Sequence, residues 1–350
     1  MSADTSPRAA GYRQPAEWAA HEAVWSAFPY AADEWSGVLE GAREEILELW
    51  RAIADEGRGE RLRLLVRPEE AERVRAALDG LSPELFVGAP FGDAWLRDTA
   101  PIFVSHGETG AVRPVCLGFN GWGQKYEMPG DAKVSAFVAE QCGGGAFAGG
   151  LVLEGGSVDV DGEGTVLTTR QCLLERRRNP DLSAEEIEAR VLSALGAEKL
   201  VWLQDGLLND HTDGHVDTLA RFVAPGRVVC MAPAGADDPN RAALEAIIAD
   251  LERSTDAAGR KLEVATLPSP GRIVSGSGEL LPASYVNFYI ANTRVVVPTY
   301  GVDNDAAAVE ALQSLFPQHE VVGRSARLVL EGGGAFHCIT QQQPKSGGIS

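Results

Sequence analysis

The sequence predicts a single α/β domain built from repeated units, each made of strands plus one helix. Segments with helical apolar spacing alternate with short strand-like runs along the 350 residues. From Asp131 onward the predicted helices recur at intervals of roughly 50–65 residues, each flanked by short strands. No tract rich in proline, serine and glycine divides the chain. We therefore expect one domain over residues 1–344 and a flexible tail over residues 345–350.

Six segments have the spacing of amphipathic helices. In the first of them, Ile46 and Ile53 lie on one face of the predicted helix. Ser183 and Glu186 have the spacing of a capping box, which places the start of a helix at that point. The predicted helices cover residues 40–56, 69–78, 131–141, 183–195, 240–253 and 305–316.

Short apolar runs bounded by Gly, Pro, Asn or Asp predict the strands. These strands cover residues 61–66, 100–104, 165–169, 199–203, 216–223, 227–231, 285–290 and 294–298. A doubly wound dinucleotide-binding sheet is the alternative, and it needs a glycine-rich turn directly after its first strand. Arg67 and Pro68 follow the first strand instead, and the glycine runs elsewhere lack the G-x-G-x-x-G spacing. The sequence therefore favours the repeat architecture.

The charge of the chain limits its partners. The 31 lysines and arginines against 50 aspartates and glutamates give a formal net charge of −19. This charge argues against nucleic acid and against anionic membranes, because binding to either needs a basic surface. It is compatible with a cationic small-molecule ligand, although solubility alone also explains an acidic surface.

The sequence also indicates a cytoplasmic protein. The first eighteen residues lack the apolar region of a secretion signal, and no run of about 18 apolar residues predicts a membrane span. The five cysteines are odd in number and never form a C-x-x-C pair, which is typical of reduced thiols packed in a core. The oligomeric state stays open, with a homo-oligomer as one option.

The densest polar run of the chain allows three interpretations. His211 and His215 are four residues apart, as in a zinc-binding helix. Gly214 between them, and Thr212 in place of the glutamate of that motif, argue against this interpretation. The run is also compatible with a solvated turn. In the third interpretation His215 and Asp217 open a strand on one face, which places a general acid–base beside a cation-binding carboxylate.

Cys338 follows a run of three glycines, whose backbone freedom allows close approach to a ligand. A thiol in this position is either a nucleophile or a small buried packing group. Its neighbour His337 points the other way on an extended chain and is therefore a poor base for it. A distant histidine is the better candidate.

Two more segments hold carboxylates beside turns. Glu154 precedes two glycines, and Asp98 lies close to Trp95 and Arg97. Each has a simpler alternative, which is a surface turn for Glu154 and an exposed Arg–Asp pair for Asp98. With the preceding candidates they make a set of one thiol, one imidazole and three carboxylates. Such a set suits nucleophilic attack on a planar cationic carbon, and a guanidinium contains one.

These segments resemble the agmatine deiminase family, which also contains the Porphyromonas-type peptidylarginine deiminase and belongs to the guanidino-group-modifying, or pentein, superfamily. The resemblance extends over nearly the whole chain. Its motifs are PAEW (15–18), HEAVW (21–25), WLRDT (95–99), FNGWGQKY (119–126), EGGS (154–157), DGHVD (213–217), ASYVNFYIAN (283–292) and GGGAFHCITQQQP (332–344).

The resemblance implies a five-bladed α/β propeller with pseudo-fivefold symmetry and its active site at the centre. Cys338 would be the nucleophile, and Asp98 and Asp217 would hold the guanidinium. His215 would protonate the departing ammonia and then activate water, and Glu154 would orient His215 and tune its charge. The reaction would convert agmatine to N-carbamoylputrescine and ammonia through a covalent S-alkylthiouronium. It would need no metal and no organic cofactor.

Departures from the family pattern concern the far end of the substrate. Ala335 stands where members that use agmatine often have asparagine, and His211 lies in a stretch that is often more acidic. An agmatine site needs acidic or aromatic groups for the terminal amine, and it should hold no free arginine. We therefore expect Arg97, which is the basic residue nearby, to pair with a carboxylate. The predicted substrate-binding residues are Trp95, Trp122, Asp210, Asp213, Gly333 and Gly334.

Two alternatives to an agmatine deiminase remain at the level of the sequence. One is a deiminase or amidinotransferase for another guanidino compound, such as arginine or peptidyl arginine. The other is a non-catalytic binding protein on the same scaffold. That second alternative predicts loss of some catalytic residues, whereas all five are present in this chain.

Overall fold

The computed structural model describes residues 6–35 and 37–347, where short strands alternate with helices. The strands are β1 (Tyr12–Arg13), β2 (His21–Ala27), β3 (Arg61–Val66), β4 (Glu84–Val87), β5 (Ile102–His106), β6 (Val112–Gly118), β7 (Phe147–Val152), β8 (Asp159–Val160), β9 (Thr165–Thr169), β10 (Lys199–Leu203), β11 (Ala220–Ala224), β12 (Arg227–Ala232), β13 (Glu263–Pro268), β14 (Tyr289–Ile290), β15 (Arg294–Thr299), β16 (Glu320–Ser325) and β17 (Thr340–Pro344). The helices are α1 (Leu39–Ala54), α2 (Ala71–Ala77), α3 (Leu96–Thr99), α4 (Gly121–Gln124), α5 (Asp131–Cys142), α6 (Arg170–Leu173), α7 (Ala184–Leu195), α8 (Arg241–Arg253) and α9 (Asp305–Leu315).

The described strands form five separate sheets of closely similar topology. Their strand orders are β1-β5-β6-β7, β17-β2-β3-β4, β8-β9-β10, β11-β12-β13 and β14-β15-β16. Each sheet contains an antiparallel pair. From this pair the chain passes through a long helix to a parallel strand. The connecting helices are α1, α5, α7, α8 and α9, so the repeated unit that the helix spacing predicts occurs in each sheet.

The predicted helices lie within a few residues of the observed ones. Ser183 and Glu186 form a complete capping box at the start of α7, which confirms the prediction from their spacing. This helix ends at Gly196, whose left-handed backbone (φ 65°) favours glycine. Ile46 and Ile53 are fully buried, and α1 packs against β15 and β16.

One predicted strand is wrong where it matters for the site. The sequence predicts a strand over residues 216–223, but Val216–Thr218 is a single turn of 3-10 helix and β11 begins only at Ala220. The turn forms because the backbone N–H and the hydroxyl of Thr218 both donate to the carbonyl oxygen of His215. The sequence also predicts a strand over residues 285–290, but the structure has only the short strand β14 in this range.

The core lies between the sheets and their helices. Its largest apolar cluster joins side chains from the sheets of β2, β12 and β15, and a second cluster surrounds α7. The largest fully buried side chains are mostly aromatic and include Trp25, Trp50, Tyr285 and Phe288. Because burial of apolar surface is the dominant favourable term in folding, these aromatic groups hold neighbouring units together.

A buried carboxylate, Glu17, joins segments that are distant in sequence. It contacts the guanidinium groups of Arg221 at 2.9 Å and Arg97 at 3.5 Å, and the Nε2 atom of His337 at 2.8 Å. It also accepts the backbone N–H of Ile290. Burial alone would raise the pKa of Glu17, but Arg221 and His337 outweigh burial and hold the pKa well below its usual value. The expected pairing of Arg97 with a carboxylate is confirmed.

The C-terminal segment has backbone contacts where the structure describes it. Lys345 donates its N–H to the carbonyl of Ala20, and Gly347 donates to that of Gly110. Residues 348–350 of the predicted flexible tail lie outside the described residues. Among the helices that the structure describes, none is both long and apolar enough to cross a membrane.

We predict that Glu17→Gln destabilises the fold by about 3–5 kcal/mol, because it removes the carboxylate charge that the buried guanidinium groups of Arg97 and Arg221 share. Urea unfolding followed by tryptophan fluorescence measures the free energy of unfolding. The matched control is Glu198→Gln, which removes an exposed ion pair with Arg13 and should cost about 0–1 kcal/mol. Equal losses in the two variants would contradict a structural role for Glu17.

Candidate active site

The five predicted catalytic residues meet at turns that follow or precede strands. Asp98 lies in the short helix α3, and Glu154 comes just before a 3-10 turn at Gly155–Ser157. His215 and Asp217 lie at the 3-10 turn that replaces the start of the predicted strand. Cys338 comes shortly before β17. All five side chains are buried, with at most 6% of each residue exposed.

Gly156 shows how closely these groups converge. A Cβ atom at this position would lie 2.5 Å from Nδ1 of His215 and 3.0 Å from carboxylate oxygens of both Asp98 and Asp217. No side chain fits there, so glycine is required by the close approach of the backbone. The backbone N–H of Gly156 also donates to Oδ1 of Asp98 at 2.9 Å. Sequence reasoning placed these three side chains in one site, and the structure brings them around one point.

Asp98 and His215 form an electrostatic pair. Nδ1 of His215 lies 3.7 Å from Oδ1 of Asp98, whose other oxygen accepts Nε1–H of Trp122 at 2.9 Å. Burial alone would lower the pKa of the imidazole, but Asp98, Cys172 and Glu154 together outweigh burial and raise the pKa of His215 well above its usual value. The structure therefore favours a protonated imidazole that can act as a general acid.

Cys338 lies beside Asp217, the second aspartate that converges on Gly156. Its Sγ atom is 3.8 Å from Oδ2 of Asp217 and 3.3 Å from Nδ2 of Asn287, and the Asn287 side chain also accepts the N–H of His337. Burial, Asp217 and Asp98 all raise the pKa of the Cys338 thiol. These contacts therefore favour the protonated thiol in the described structure.

His337 points away from its neighbour Cys338, as predicted, and bridges two carboxylates. Its Nδ1 atom lies 2.7 Å from Oδ2 of Asp217, and its Nε2 atom lies 2.8 Å from Oε2 of Glu17. Burial alone would raise the pKa of Asp217, but His337 outweighs burial and lowers it. The residue that sequence reasoning set aside as a base therefore keeps Asp217 ionised.

Glu154 is held by a buried cation that the sequence analysis missed. Nε of Arg178 donates to both carboxylate oxygens of Glu154 at 2.9 and 3.0 Å. The remaining donors of Arg178 bind Asp213 and the carbonyl oxygen of Thr212, both at 2.7 Å. Arg178 ends a run of three arginines, which is typical of an exposed surface and gave no signal of a site. Glu154 is not hydrogen-bonded to His215 in the described structure.

A cavity of about 870 Å³ opens onto Cys338 and Asp98. Trp95 forms part of its wall and stacks on Trp35, with ring centroids 5.6 Å apart and planes 11° from parallel. Five of the six predicted substrate-binding residues line the cavity, and these are Trp95, Trp122, Asp210, Gly333 and Gly334. The sixth, Asp213, is instead held between Lys125 and Arg178.

A buried thiol, an imidazole and carboxylates around one cavity are chemically suited to nucleophilic attack on a planar cationic group. A family model described as "Porphyromonas-type peptidyl-arginine deiminase" matches residues 13–344. The agmatine deiminase of Pseudomonas aeruginosa (strain LESB58) is 41% identical over 98% of this chain and 99% of its own length. The chain therefore belongs to the Porphyromonas-type peptidyl-arginine deiminase family.

Solved structures agree with this assignment. The agmatine deiminase of Enterococcus faecalis superposes with a TM-score of 0.91 at 35% identity, over 99% of each chain. A C. jejuni agmatine deiminase variant with substrate bound superposes with a TM-score of 0.84 at 25% identity, over 96% of this chain and 97% of that one. The α/β fold is therefore the one that these enzymes share.

Asp93 supports the aromatic wall of the cavity and is poised to change charge near neutral pH. Its Oδ1 atom accepts Nε1–H of Trp35 at 3.2 Å. Burial raises the pKa of Asp93 to about 7 and that of the nearby Asp131 to about 6. A carboxyl whose folded-state pKa is raised stabilises the fold at low pH, and this contribution is lost as the pH rises through about 7.

We predict that Asp93→Asn removes much of this pH dependence, because the amide keeps the shape of the carboxyl without its charge. Thermal unfolding midpoints at about pH 5 and about pH 8 give the measurement. The wild-type protein should lose more stability over this interval than the variant. The exposed Asp33→Asn serves as control. The same loss in wild type and Asp93→Asn would show that Asp93 is not the titrating group.

Proposed function

We propose that the protein hydrolyses agmatine to N-carbamoylputrescine and ammonia. The observation that carries this proposal is the convergence of His215, Asp98 and Asp217 around Gly156 beside the Cys338 thiol. The agmatine deiminase names of relatives at about 40% identity over the full chain support the same activity. The roles below follow from the geometry and charges of the described residues.

Asp98 and Asp217 are proposed to hold the guanidinium. Two buried carboxylates that face one pocket match the planar, multiply donating guanidinium group. Trp122 and Gly156 fix Asp98, and His337 fixes Asp217, so both acceptors are oriented before substrate arrives. Orientation in advance is what allows such contacts to place a reacting carbon accurately.

Cys338 is proposed as the nucleophile. A guanidinium between the two carboxylates brings a positive charge next to Sγ, which favours the thiolate, and the thiol proton leaves to solvent. The thiolate then attacks the central carbon of the guanidinium. Protonated His215 gives its proton to the departing nitrogen, ammonia leaves, and a covalent S-alkylthiouronium remains.

The second half of the reaction uses the imidazole that the first half has made neutral. His215 takes a proton from water, which adds to the thiouronium carbon, and the carbon–sulfur bond breaks to release the ureido product. The Cys338 thiol is regenerated. Glu154 is proposed to maintain the charge of the imidazole, and Arg178 to keep Glu154 in position.

The terminal amine of agmatine is proposed to lie between Asp210 and the tryptophan wall. Oδ2 of Asp210 is buried and has no hydrogen-bond partner among the described residues, while Oδ1 accepts from Thr212. Trp95 and Trp122 offer aromatic faces to a cation. Lys125 also lines the cavity, but its ammonium group is paired with Asp213. It is therefore not available to bind the carboxylate of an arginine substrate.

The five sheets are proposed to be the blades of the five-bladed α/β propeller that the resemblance implies, within a single domain over residues 1–344. Two features support this arrangement. The sheets repeat one topology, and the candidate catalytic residues come from turns next to different sheets. A site built from several blades is expected to lie where the blades meet.

We predict that purified protein forms ureido product from agmatine and that Cys338→Ser loses at least about 10³-fold in kcat, because its oxygen is a far weaker nucleophile. Colorimetric detection of the ureido group measures turnover with agmatine, arginine and a peptidyl arginine. Cys142→Ser, at a cysteine outside the cavity, should retain activity. Turnover of arginine or peptidyl arginine without agmatine would contradict the substrate, and an active Cys338→Ser would contradict the nucleophile.

A further inference from the structure

A second cysteine lies next to the proposed general acid. Cys172 is fully buried in the first turn of α6, where Thr169 accepts its backbone N–H. One donor atom each from Cys172, Glu154 and His215 lie within 4.8 Å of one another, and all three residues are buried. The sequence analysis counted Cys172 among the packing thiols, and the proposed reaction does not use it.

The donor set is chemically specific. A thiolate, an imidazole and a carboxylate are the three side-chain ligands that Zn²⁺ prefers. In a tetrahedral zinc site the ligand atoms are separated by roughly 3.3–3.8 Å. The donor atoms are therefore at most about 1–1.5 Å farther apart than in a bound site, a gap that we expect changes of side-chain rotamer to close.

Among the described residues no hydrogen bond holds the imidazole of His215, and its contact with Asp98 is long at 3.7 Å. Neither of its ring nitrogens has a hydrogen-bond partner among the described residues, although the ring is only 1% exposed. Rotation toward a metal therefore breaks no hydrogen bond. His215 also lines a small cavity together with Cys338, and this cavity shares Asp210 and Gly334 with the large one. The imidazole therefore lies next to the cavity that the substrate is proposed to enter.

Arg178 binds Glu154 through one N–H group only, so the carboxylate keeps lone pairs that can bind a metal. Only the Nε–H of Arg178 is directed at this carboxylate, whereas its other donors bind Asp213 and Thr212. An ionised carboxylate offers about four lone-pair positions, so it can accept this N–H and still coordinate a cation. Such an outer hydrogen bond orients the ligand, as it does in many metal sites.

The local charge also suits a dication. Asp98 and Asp217 lie around Gly156 together with His215, and Glu154 adds a third carboxylate near the imidazole. Arg178 balances only part of this negative charge. The field that attracts a guanidinium therefore attracts a divalent cation as well.

We propose that Glu154, Cys172 and His215 form an inhibitory binding site for a Zn²⁺-class divalent cation. The metal bonds to Sγ of Cys172 as a thiolate, and the thiol proton leaves to solvent. It also bonds to a ring nitrogen of His215 and to a carboxylate oxygen of Glu154, and water fills the fourth position. A metal-bound imidazole cannot protonate ammonia, so occupancy stops turnover. Only this inhibitory consequence rests on the proposed function.

Metal binding is tested without substrate. Chelator-treated full-length protein is dialysed against Zn²⁺ alone, and Co²⁺ is used separately as a spectroscopic probe for thiolate-to-metal charge-transfer absorption. Wild type and the buried-cysteine control Cys230→Ala should each bind one Zn²⁺ and show the Co²⁺ band. Cys172→Ala should lose at least about 10-fold in Zn²⁺ affinity and lose the band. Cys338→Ala, which keeps Cys172, should retain both.

Activity provides a separate readout. Zn²⁺ should abolish agmatine turnover by wild type, chelator should restore it, and Cys172→Ala should need at least about 10-fold more Zn²⁺. The proposal is overturned if wild type binds no Zn²⁺, if Cys172→Ala keeps wild-type affinity, or if Cys338→Ala loses the Co²⁺ band. If Cys172→Ala does not fold, the Cys338→Ala spectrum decides between the two thiols. Failure of agmatine turnover alone would leave these binding results intact.

Discussion

Glu17 is the point at which the segments that carry the candidate site are tied together. Its buried carboxylate contacts Arg97, Arg221 and His337, which belong to three segments far apart in sequence. Arg97 and Arg221 lie in or next to the segments of the proposed guanidinium-binding carboxylates, and His337 precedes Cys338. Because a buried charge without a partner costs several kcal/mol, each member of this cluster fixes the others. The relative placement of nucleophile and carboxylates therefore depends on this shared negative charge, with Asp159 as a second partner of Arg221 and Asp217 as a second partner of His337.

The charges next to the Glu17 cluster show how one pocket can hold both a proton donor and a candidate nucleophile. His337 keeps Asp217 ionised, and Asp98 raises the pKa of His215, so anion and proton donor coexist in a buried site. Asp217 and Asp98 also raise the pKa of the Cys338 thiol, and we propose that a cationic substrate reverses this effect. Most of the net charge of −19 comes from surface residues. The proposed preference of the site for a cation comes instead from a few buried carboxylates.

Local patterns in the sequence predicted most helices and strands, because capping and apolar spacing act over a few residues. They also placed Cys338 and His215 among the reactive groups. The pairing of His215 with Asp217 was expected from strand alternation, but a 3-10 turn sets it instead. Arg178 and the thiol beside His215 were missed, because their importance arises from tertiary contacts. An arginine at the end of a basic run has no sequence signal of burial, and a lone cysteine, even one predicted to be buried, has no signal of which side chain lies beside it.

The central claim is that catalysis passes through a covalent bond between Cys338 and the guanidinium carbon. Acid quenching during steady-state turnover of agmatine, followed by mass spectrometry of the intact protein, tests it most directly. The account predicts a fraction of protein heavier by one agmatine minus one ammonia, with the added mass on the peptide that contains Cys338. Turnover with no adduct under rapid quenching, or an adduct on another residue, would contradict it.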